Sequence, residues 1–429
     1  MTPTSPSRRD VLKGAAAVTA AASLGLGGAL HPRRAHAQGG ATQSRARIDG
    51  VLKQAVDAKE VPGVVAMAAT DKGVLYEGAF GTRNLGTGPD MTLDSFFRIA
   101  SMTKAITAAA AMQQVEAGKL ALDAPIADIL PQLRSPLVLE GFDGSGKAKL
   151  RPAKRPITLR HLLTHTAGFG YDIWNADLGK FMEQAGIPGI ITCQNAALTT
   201  PLTFDPGERW DYGINLDWAG KAVEAVSGKR LEAYLSDRIF APLGMTDTSF
   251  VLRADQRARL AAMHARGADG KLEAIAFELP QAPEFFMGGG GLYGTARDYL
   301  RFLAMILAGG TLDGATILTR ETVREMTENN IGPLEVQTLK TAMPPFSNDA
   351  NLFPGMVQKW GLSFCINTAP GPNGRSQGSL AWAGLGNTYF WADPARNVAG
   401  TIMTQTLPFA DAKVLDLFGT LERGIYDAL

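Results

Sequence analysis

The pattern of hydrophobic and polar positions predicts two groups of β-strands near the two ends of the chain, each strand a short, mostly apolar run. Residues 64–70 and 74–80 are β-type runs on either side of the turn 71–73, a pattern typical of a hairpin. Toward the C-terminus the pattern predicts four strands and a closing helix, at residues 360–368, 380–383, 388–392, 398–404 and 411–429. These two groups can form one sheet only if the chain ends come together.

Between the strand groups, residues 122–284 have the spacing of helices and loops, with helices predicted at 158–165, 216–227 and 231–240. Residues 140–156 are basic and lack helical or strand periodicity, so we expect a solvent-exposed loop there. A strand, helix, strand order predicts an α+β fold, an antiparallel sheet flanked by helices with an inserted, mostly helical region. We expect one domain, residues 41–429, with an α/β lobe (about 41–121 and 285–429) and a helical lobe (about 122–284).

One predicted helix, residues 101–117, is almost wholly small or apolar and ends at Gly118, so it is buried on all sides rather than amphipathic. It opens with Ser101 and Lys104, which share a face because they are three residues apart. A lysine at the mouth of a buried helix must be paired or have its pKa lowered from about 10.4, which makes it a base near neutrality. The spacing alone also fits a capping serine followed by a solvated lysine.

The first 37 residues are predicted to be an export signal. Arg8 and Arg9 precede an Ala/Gly-rich apolar stretch, and Ala35-His36-Ala37 is an A-x-A cleavage site. A basic tail would lack this order of features, and the stretch is too short and glycine-rich for a membrane anchor. We therefore expect a twin-arginine substrate with no membrane anchor after cleavage, located in the periplasm or secreted.

Composition and cysteine usage exclude several classes of function. With 42 basic and 41 acidic residues, the chain has no charge excess that would favour a nucleic-acid partner. Cys193 and Cys365 are too few for a disulfide framework and are wrongly spaced for a metal cluster, so we expect buried free thiols, with pairing left open. His161 and His165 have a zinc-compatible spacing, but the glutamate of H-E-x-x-H is absent. We expect packing or capping roles for them and predict no metal or other cofactor.

Ser376 offers a rival nucleophile, because residues 374–378 match G-x-S-x-G. That motif must join a strand to a helix, whereas this stretch follows a Pro/Gly-rich turn and leads into another strand. The rival mechanism also needs a later histidine, and the last histidine is His264. We interpret Ser376 as a loop residue.

A set of motifs in a fixed order carries a family resemblance. The motifs are Ser101-x-x-Lys104, Thr164-His165-Thr166-Ala167-Gly168, Trp210-Asp211-Tyr212, Gly288-Gly289-Gly290-Gly291 and Trp382-Ala383-Gly384. In this order they resemble the serine hydrolases of the class C β-lactamase and penicillin-binding-protein superfamily, and within it the esterase branch, the family VIII carboxylesterases. The resemblance extends over essentially the whole predicted mature chain.

The resemblance implies roles for individual residues. Ser101 is expected to be the nucleophile, with Lys104 and Tyr212 as a base system that titrates as a unit. The backbone N–H groups of Ser101 and Leu385 are expected to form the oxyanion hole. Two positions depart from the family pattern: Ile214 stands where an asparagine is expected, with Asn215 one place later, and Trp382 replaces a lysine that binds carboxylates in β-lactamases.

These departures favour a neutral ester, so the expected function is an exported serine hydrolase that cleaves small carboxylic esters through an acyl-enzyme. Substrate contacts are expected from Trp382, Gly384, Tyr171, Trp174 and Phe286, although the apolar residues among them could equally be core. The resemblance leaves open a β-lactamase, a D-amino-acid peptidase, an amide hydrolase or an acyltransferase. The presence of Ser101, Lys104 and Tyr212 disfavours a non-catalytic binding protein. The sequence leaves open whether the protein is a monomer or a dimer.

Overall fold

The computed structural model describes residues 32–429, with side chains from Thr42 onward. The strands are β1 Gly63–Thr70, β2 Gly73–Gly81, β3 Phe97–Arg98, β4 Leu137–Phe142, β5 Ala148–Pro152, β6 Thr248–Ser249, β7 Met263–Arg266, β8 Leu272–Ile275, β9 Tyr293–Gly294, β10 Thr311–Leu312, β11 Ala315–Thr316, β12 Gln358–Trp360, β13 Cys365–Asn367, β14 Leu380–Gly384, β15 Thr388–Asp393, β16 Val398–Met403 and β17 Thr406–Leu407. The α-helices are α1 Pro32–Asp57, α2 Thr103–Glu116, α3 Leu159–Leu163, α4 Ala176–Ala185, α5 Asn215–Ser227, α6 Leu231–Leu235, α7 Ala241–Leu243, α8 Ala254–Arg257, α9 Ala296–Leu307, α10 Arg320–Thr327 and α11 Ala412–Ala428.

A seven-stranded antiparallel sheet unites the two ends of the chain in the order β12, β13, β14, β15, β16, β1, β2. The N-terminal hairpin β1–β2 adds to the C-terminal strands through the pairing of β1 with β16. Most strands in the middle of this sheet are buried along their whole length, as expected when both faces are covered. The predicted α+β architecture with an antiparallel sheet is confirmed.

The two faces of the sheet are covered by different helices, as the alternation of side chains along β15 requires. Tyr389 and Trp391 point to one face, where they pack on Phe418 of α11 at centroid distances of 5.2 and 5.6 Å. Phe390, between them, points to the other face and packs on Tyr299 of α9 at 5.1 Å. Trp382 pairs in register with Phe390 and therefore points to the same face, where its indole reaches Tyr212.

Residues 360–368 were expected to form one strand, but in the structure they contribute to two strands, β12 and β13. The chain reverses at Ser363, whose φ of +75° is left-handed, and Gly361 N–H donates to the carbonyl of Phe364 at 2.8 Å. The sequence lacks a Gly or Asn at the position that needs this backbone, so a tight turn was not predicted.

The region between the strand groups is mostly helical but contains two ribbons. Residues 137–152 form the hairpin β4–β5, where the sequence predicts a solvent-exposed loop. Part of its basic charge is paired, since Arg151 and Lys154 lie 2.8 and 3.2 Å from the buried carboxylate of Asp205. The ribbon β7–β8 is joined by β17 in parallel.

The predicted twin arginines, Arg8 and Arg9, lie outside the described residues. Within residues 32–429, no helix combines the length and the apolar character needed to cross a membrane.

Candidate active site

Ser101 lies in a short 3₁₀ turn, Ala100–Met102, that leads from β3 into α2. Ala100 adopts a left-handed φ of +42°, a conformation that is costly for a residue with a side chain. Thr103 holds this turn, because its hydroxyl donates to the carbonyl of Ala100 at 2.6 Å and accepts from Leu292 N–H at 3.1 Å. The predicted helix is thus confirmed from Thr103 onward, with Ser101 one turn ahead of it.

Lys104 is fully buried beneath Ser101 and has three oxygen partners. Its Nζ lies 3.1 Å from Ser101 Oγ, 3.0 Å from the Tyr171 hydroxyl and 2.5 Å from the carbonyl of Gly289. Burial lowers the pKa of Lys104 from its usual value of 10.5 to about 7, against an opposing effect of the Asp217 charge. An uncharged amine has two hydrogens for Gly289 and Tyr171 and a lone pair that faces the serine proton.

Tyr212 completes the cluster from the other side of Ser101. Lys104 Nζ lies 4.6 Å from the centroid of its ring, and its hydroxyl oxygen accepts a hydrogen bond from Trp382 Nε1 at 2.8 Å. Burial raises the pKa of Tyr212, while hydrogen bonds with Ser101 and Trp382 act in the opposite direction. A donor aimed at the phenolic oxygen stabilises negative charge there, which is what a tyrosine that accepts or shares a proton requires.

An aromatic cluster fixes the ring of Tyr212. His165 packs on it with a centroid distance of 4.6 Å, and Trp382 packs on it at 4.9 Å. Burial and the charge of Lys104 both lower the pKa of His165 well below its usual value, so the imidazole is neutral. Its Nδ1 lies 2.9 Å from Asn215 Nδ2, which places the Asn215 amide behind the tyrosine and not in the cavity.

The predicted substrate residues occupy three different kinds of position. Trp174 and Trp382 line the cavity in front of Ser101, as does Gly384. Tyr171 also lines it, and its hydroxyl contacts Lys104, so it is part of the group of side chains around the lysine amine as well. Phe286 is the exception. It packs on Phe250 at 5.1 Å and is not among the described residues that line the cavity.

Phe286 is therefore corrected to a core residue. The guanidinium of Arg230 lies 4.4 Å from its ring centroid, and the adjacent Met287 lines the cavity instead. Neighbouring apolar residues point in different directions, and the sequence does not indicate which one faces the site.

The two predicted oxyanion-hole residues, Ser101 and Leu385, line the same cavity. Strand β14 can approach the serine turn because residue 384 is glycine, since a Cβ there would collide with the carbonyl of Ile99 and the hydroxyl of Thr388. This close approach brings the end of β14 next to Ser101 and is the structural basis for retaining the Leu385 assignment as a proposal.

Sequence reasoning missed two charged residues at the site. Arg98 is among the residues that line the cavity; its guanidinium donates to the carbonyl of Phe277, and its Nε has no hydrogen-bond partner among the described residues. Asp217 is fully buried behind Gly289. An arginine three residues before Ser101 and an aspartate five residues after Tyr212 have no spacing rule that would reveal them, because both reach the site through tertiary packing.

The remaining motif residues have structural roles. Ser376 lies in the connection between β13 and β14, and its N–H donates to Asp393 at 2.8 Å, so its surroundings are those of a loop between two strands. His161 accepts from Thr158 N–H in a cap at the start of α3. Cys193 and Cys365 are both free and buried. No group of three or more metal-binding side chains was found among the described residues.

Two family models match the chain. The model described as Beta-lactamase matches residues 48–421, and that of the twin-arginine translocation pathway signal sequence matches residues 5–25.

Two curated relatives, one named as a transferase and one as an esterase, match most of this chain, and a solved structure shares its fold. Monacolin J acid methylbutanoyltransferase of Aspergillus terreus is 34% identical over 401 residues, which cover 88% of this chain and 95% of that protein. Lovastatin esterase of Penicillium rubens is 32% identical over 395 residues, covering 88% and 98%. Among solved structures, unliganded simvastatin synthase from Aspergillus terreus is 33% identical with a TM-score of 0.79, covering 89% of this chain and 98% of that one.

Proposed function

This chain belongs to the β-lactamase family, and we propose that it is an exported esterase that cleaves small carboxylic esters through an acyl-enzyme on Ser101. The family resemblance, the serine hydrolase class and the twin-arginine signal predicted from the sequence are confirmed by the comparisons. The observation that carries the proposal is the buried amine of Lys104, 3.1 Å from Ser101 Oγ and with a lowered pKa.

In the acylation step, Ser101 Oγ attacks the ester carbonyl carbon and its proton passes to the Lys104–Tyr212 pair. The negative charge that develops on the carbonyl oxygen is accepted by the backbone N–H groups of Ser101 and Leu385. When the tetrahedral intermediate collapses, the bond to the alcohol oxygen breaks and the pair returns the proton to the leaving alkoxide. The products are the free alcohol and an ester between the acyl group and Ser101.

In the deacylation step, the same pair removes a proton from the incoming nucleophile. When water attacks the acyl carbon, the bond to Ser101 Oγ breaks and the pair returns the proton to Oγ, so the products are a carboxylic acid and free Ser101, which is hydrolysis. An alcohol that enters the cavity gives a new ester, which is acyl transfer. Hydrolysis and transfer therefore share every residue of the proposed mechanism and differ only in what occupies the position of the nucleophile.

The cavity lining favours an apolar acyl or alcohol group. Beyond the reacting residues it presents Ile173, Ile190, Met263, Met287 and Phe409. Trp382 replaces the β-lactamase lysine and uses its N–H on Tyr212, so it has no donor left for a substrate carboxylate. Arg98 is the charged residue among the described residues that line the cavity, and its guanidinium is engaged by the carbonyl of Phe277.

Acyl transfer is the second candidate, and the similarity to a protein named as a methylbutanoyltransferase favours it. The two candidates are separated by one partition experiment. A p-nitrophenyl ester is turned over with increasing concentrations of a small alcohol, and the acid and the new ester are quantified. An esterase yields mainly acid at every alcohol concentration, whereas a transferase yields mainly the new ester. Nitrocefin measured beside these esters tests the β-lactamase alternative.

The acyl-enzyme itself is tested by mass spectrometry. A fluorophosphonate should add one adduct mass to the protein, on the peptide that contains Ser101. Ser101→Ala should abolish labelling and turnover, and Ser376→Ala is the matched control that should preserve both. Turnover that survives Ser101→Ala, or an adduct on Ser376, would overturn the proposal.

We further propose that the twin-arginine signal delivers the enzyme to the periplasm or the medium, with small-molecule esters as its partners. The signal match to residues 5–25 supports the route, and the compartment is tested by fractionation.

A further inference from the structure

Asp217 carries a carboxylate that the proposed chemistry does not use. It lies in the first turn of α5, is fully buried, and accepts a hydrogen bond from Gly289 N–H at 2.9 Å through Oδ1. Its other oxygen, Oδ2, has no hydrogen-bond partner among the described residues. An ionised carboxylate that lacks partners in the interior is costly, so a carboxylate retained here needs a reason.

A structural role does not supply that reason. Asparagine at this position would accept the same hydrogen bond from Gly289 through its amide oxygen and would carry no charge. What aspartate supplies here and asparagine cannot supply is a negative charge. The relevant question is which group responds to it.

Gly289 connects Asp217 to the catalytic lysine. Its N–H donates to Asp217, while its carbonyl accepts from Lys104 Nζ at 2.5 Å. A side chain at position 289 would place its Cβ 2.5 Å from Asp217 Oδ2, so only glycine allows the carboxylate this position. The neighbouring carbonyl of Gly288 accepts from the Thr107 hydroxyl at 2.8 Å, which fixes the segment. The amine and the carboxylate are thus held on either side of one residue.

We propose that Asp217 is a positioning residue for Lys104, whose buried negative charge sets the pH at which the lysine becomes free to take the proton of Ser101. The proposal rests on the proposed acyl-enzyme mechanism for its kinetic consequence. Asp217 does not touch the substrate or the reacting atoms, and it acts only through the charge state of the lysine.

Lys104 and Asp217 are surrounded by titratable side chains that favour their neutral forms. Titratable side chains that face Lys104 or Asp217 are Tyr171, Tyr212, His165 and Cys193. Burial raises the pKa values of both tyrosines and of the thiol, and it lowers that of His165, so all four favour their neutral forms. Burial likewise raises the pKa of Asp217, and the charge of Lys104 opposes this effect.

The test compares pH profiles of kcat/KM for p-nitrophenyl butyrate in Asp217→Asn and the native enzyme. Loss of the negative charge should make the Lys104 ammonium more acidic and move the acid limb to lower pH by about one unit or more, the size expected for an opposite charge nearby. Asp298→Asn is the matched control. Asp298 is also a buried first-turn aspartate, in α9, but it bonds to Asp247 N–H and the Thr248 hydroxyl. Its replacement should leave the limb in place.

An unmoved acid limb in Asp217→Asn, or an equal shift in Asp298→Asn, overturns the proposal. If Asp217→Asn does not fold, the reciprocal measurement decides. The ¹³C shift of the Asp217 carboxyl is titrated in the native enzyme and in Lys104→Met, where loss of the positive charge should raise its midpoint by a comparable amount. An unchanged midpoint refutes the coupling. This titration needs no turnover, so it remains decisive if no ester is hydrolysed and the proposed function itself has failed.

Discussion

Replacement of Trp382 by phenylalanine tests whether the indole acts on the base system or on the substrate. Its Nε1 lies 2.8 Å from the Tyr212 hydroxyl oxygen, so Phe removes the donor and keeps an aromatic ring in the cluster. A hydrogen bond to a charged group is worth about 1.5–3 kcal/mol. If the bond strengthens as charge develops on Tyr212, kcat should fall roughly 10- to 150-fold.

The expected kinetic signature is a fall in kcat with KM nearly unchanged, because the bond is made inside the enzyme. Steady-state hydrolysis of p-nitrophenyl butyrate gives both parameters, and thermal denaturation reports the packing loss. That loss should be smaller than the about 3–5 kcal/mol that truncation of a buried aromatic residue to alanine costs.

Trp210→Phe is the matched control within the same cluster. Trp210 packs on Tyr212 at a centroid distance of 6.3 Å, but its Nε1 has no hydrogen-bond partner among the described residues. It should lose stability without a comparable loss of kcat. Equal losses of kcat in the two variants, or a Trp382→Phe effect confined to KM, would refute the reasoning and return Trp382 to substrate binding.

Three further predictions address the base, its titration and export. Lys104→Ala and Tyr212→Phe should each lower kcat by roughly 10²–10⁴-fold, and the double variant should lose far less than the product, because the two act as a unit; multiplicative losses would mean independent roles. Activity should decline as the pH falls through about 7, where burial places the Lys104 pKa, because protonation of the amine removes the acceptor for the serine proton; a profile flat from pH 8 to 5 contradicts this. Replacement of Arg8 and Arg9 by lysine should retain the enzyme in the cytoplasm, and fractionation with an activity assay shows whether export persists.

The sequence alone determined the local elements and the order of the motifs. Short, mostly apolar runs bounded by turn residues predicted the hairpin at residues 64–80 and the strands near 380–404. Three-residue spacing placed Lys104 against Ser101, a contact within one turn that needs no tertiary information. Gly118 marked the end of the helix that follows Ser101, because a glycine adopts the left-handed backbone found there at no steric cost.

Tertiary structure decided which distant residues meet those local elements. It brought the hydroxyl of Tyr171 to Lys104 across 67 positions and the indole of Trp382 to Tyr212 across 170. It also turned Phe286 into the core while the adjacent Met287 reached the cavity. Local spacing constrains only neighbours along one helix or strand. Contacts between segments depend on how helices and strands pack and on close approaches that particular glycines permit, and these properties belong to the folded chain as a whole.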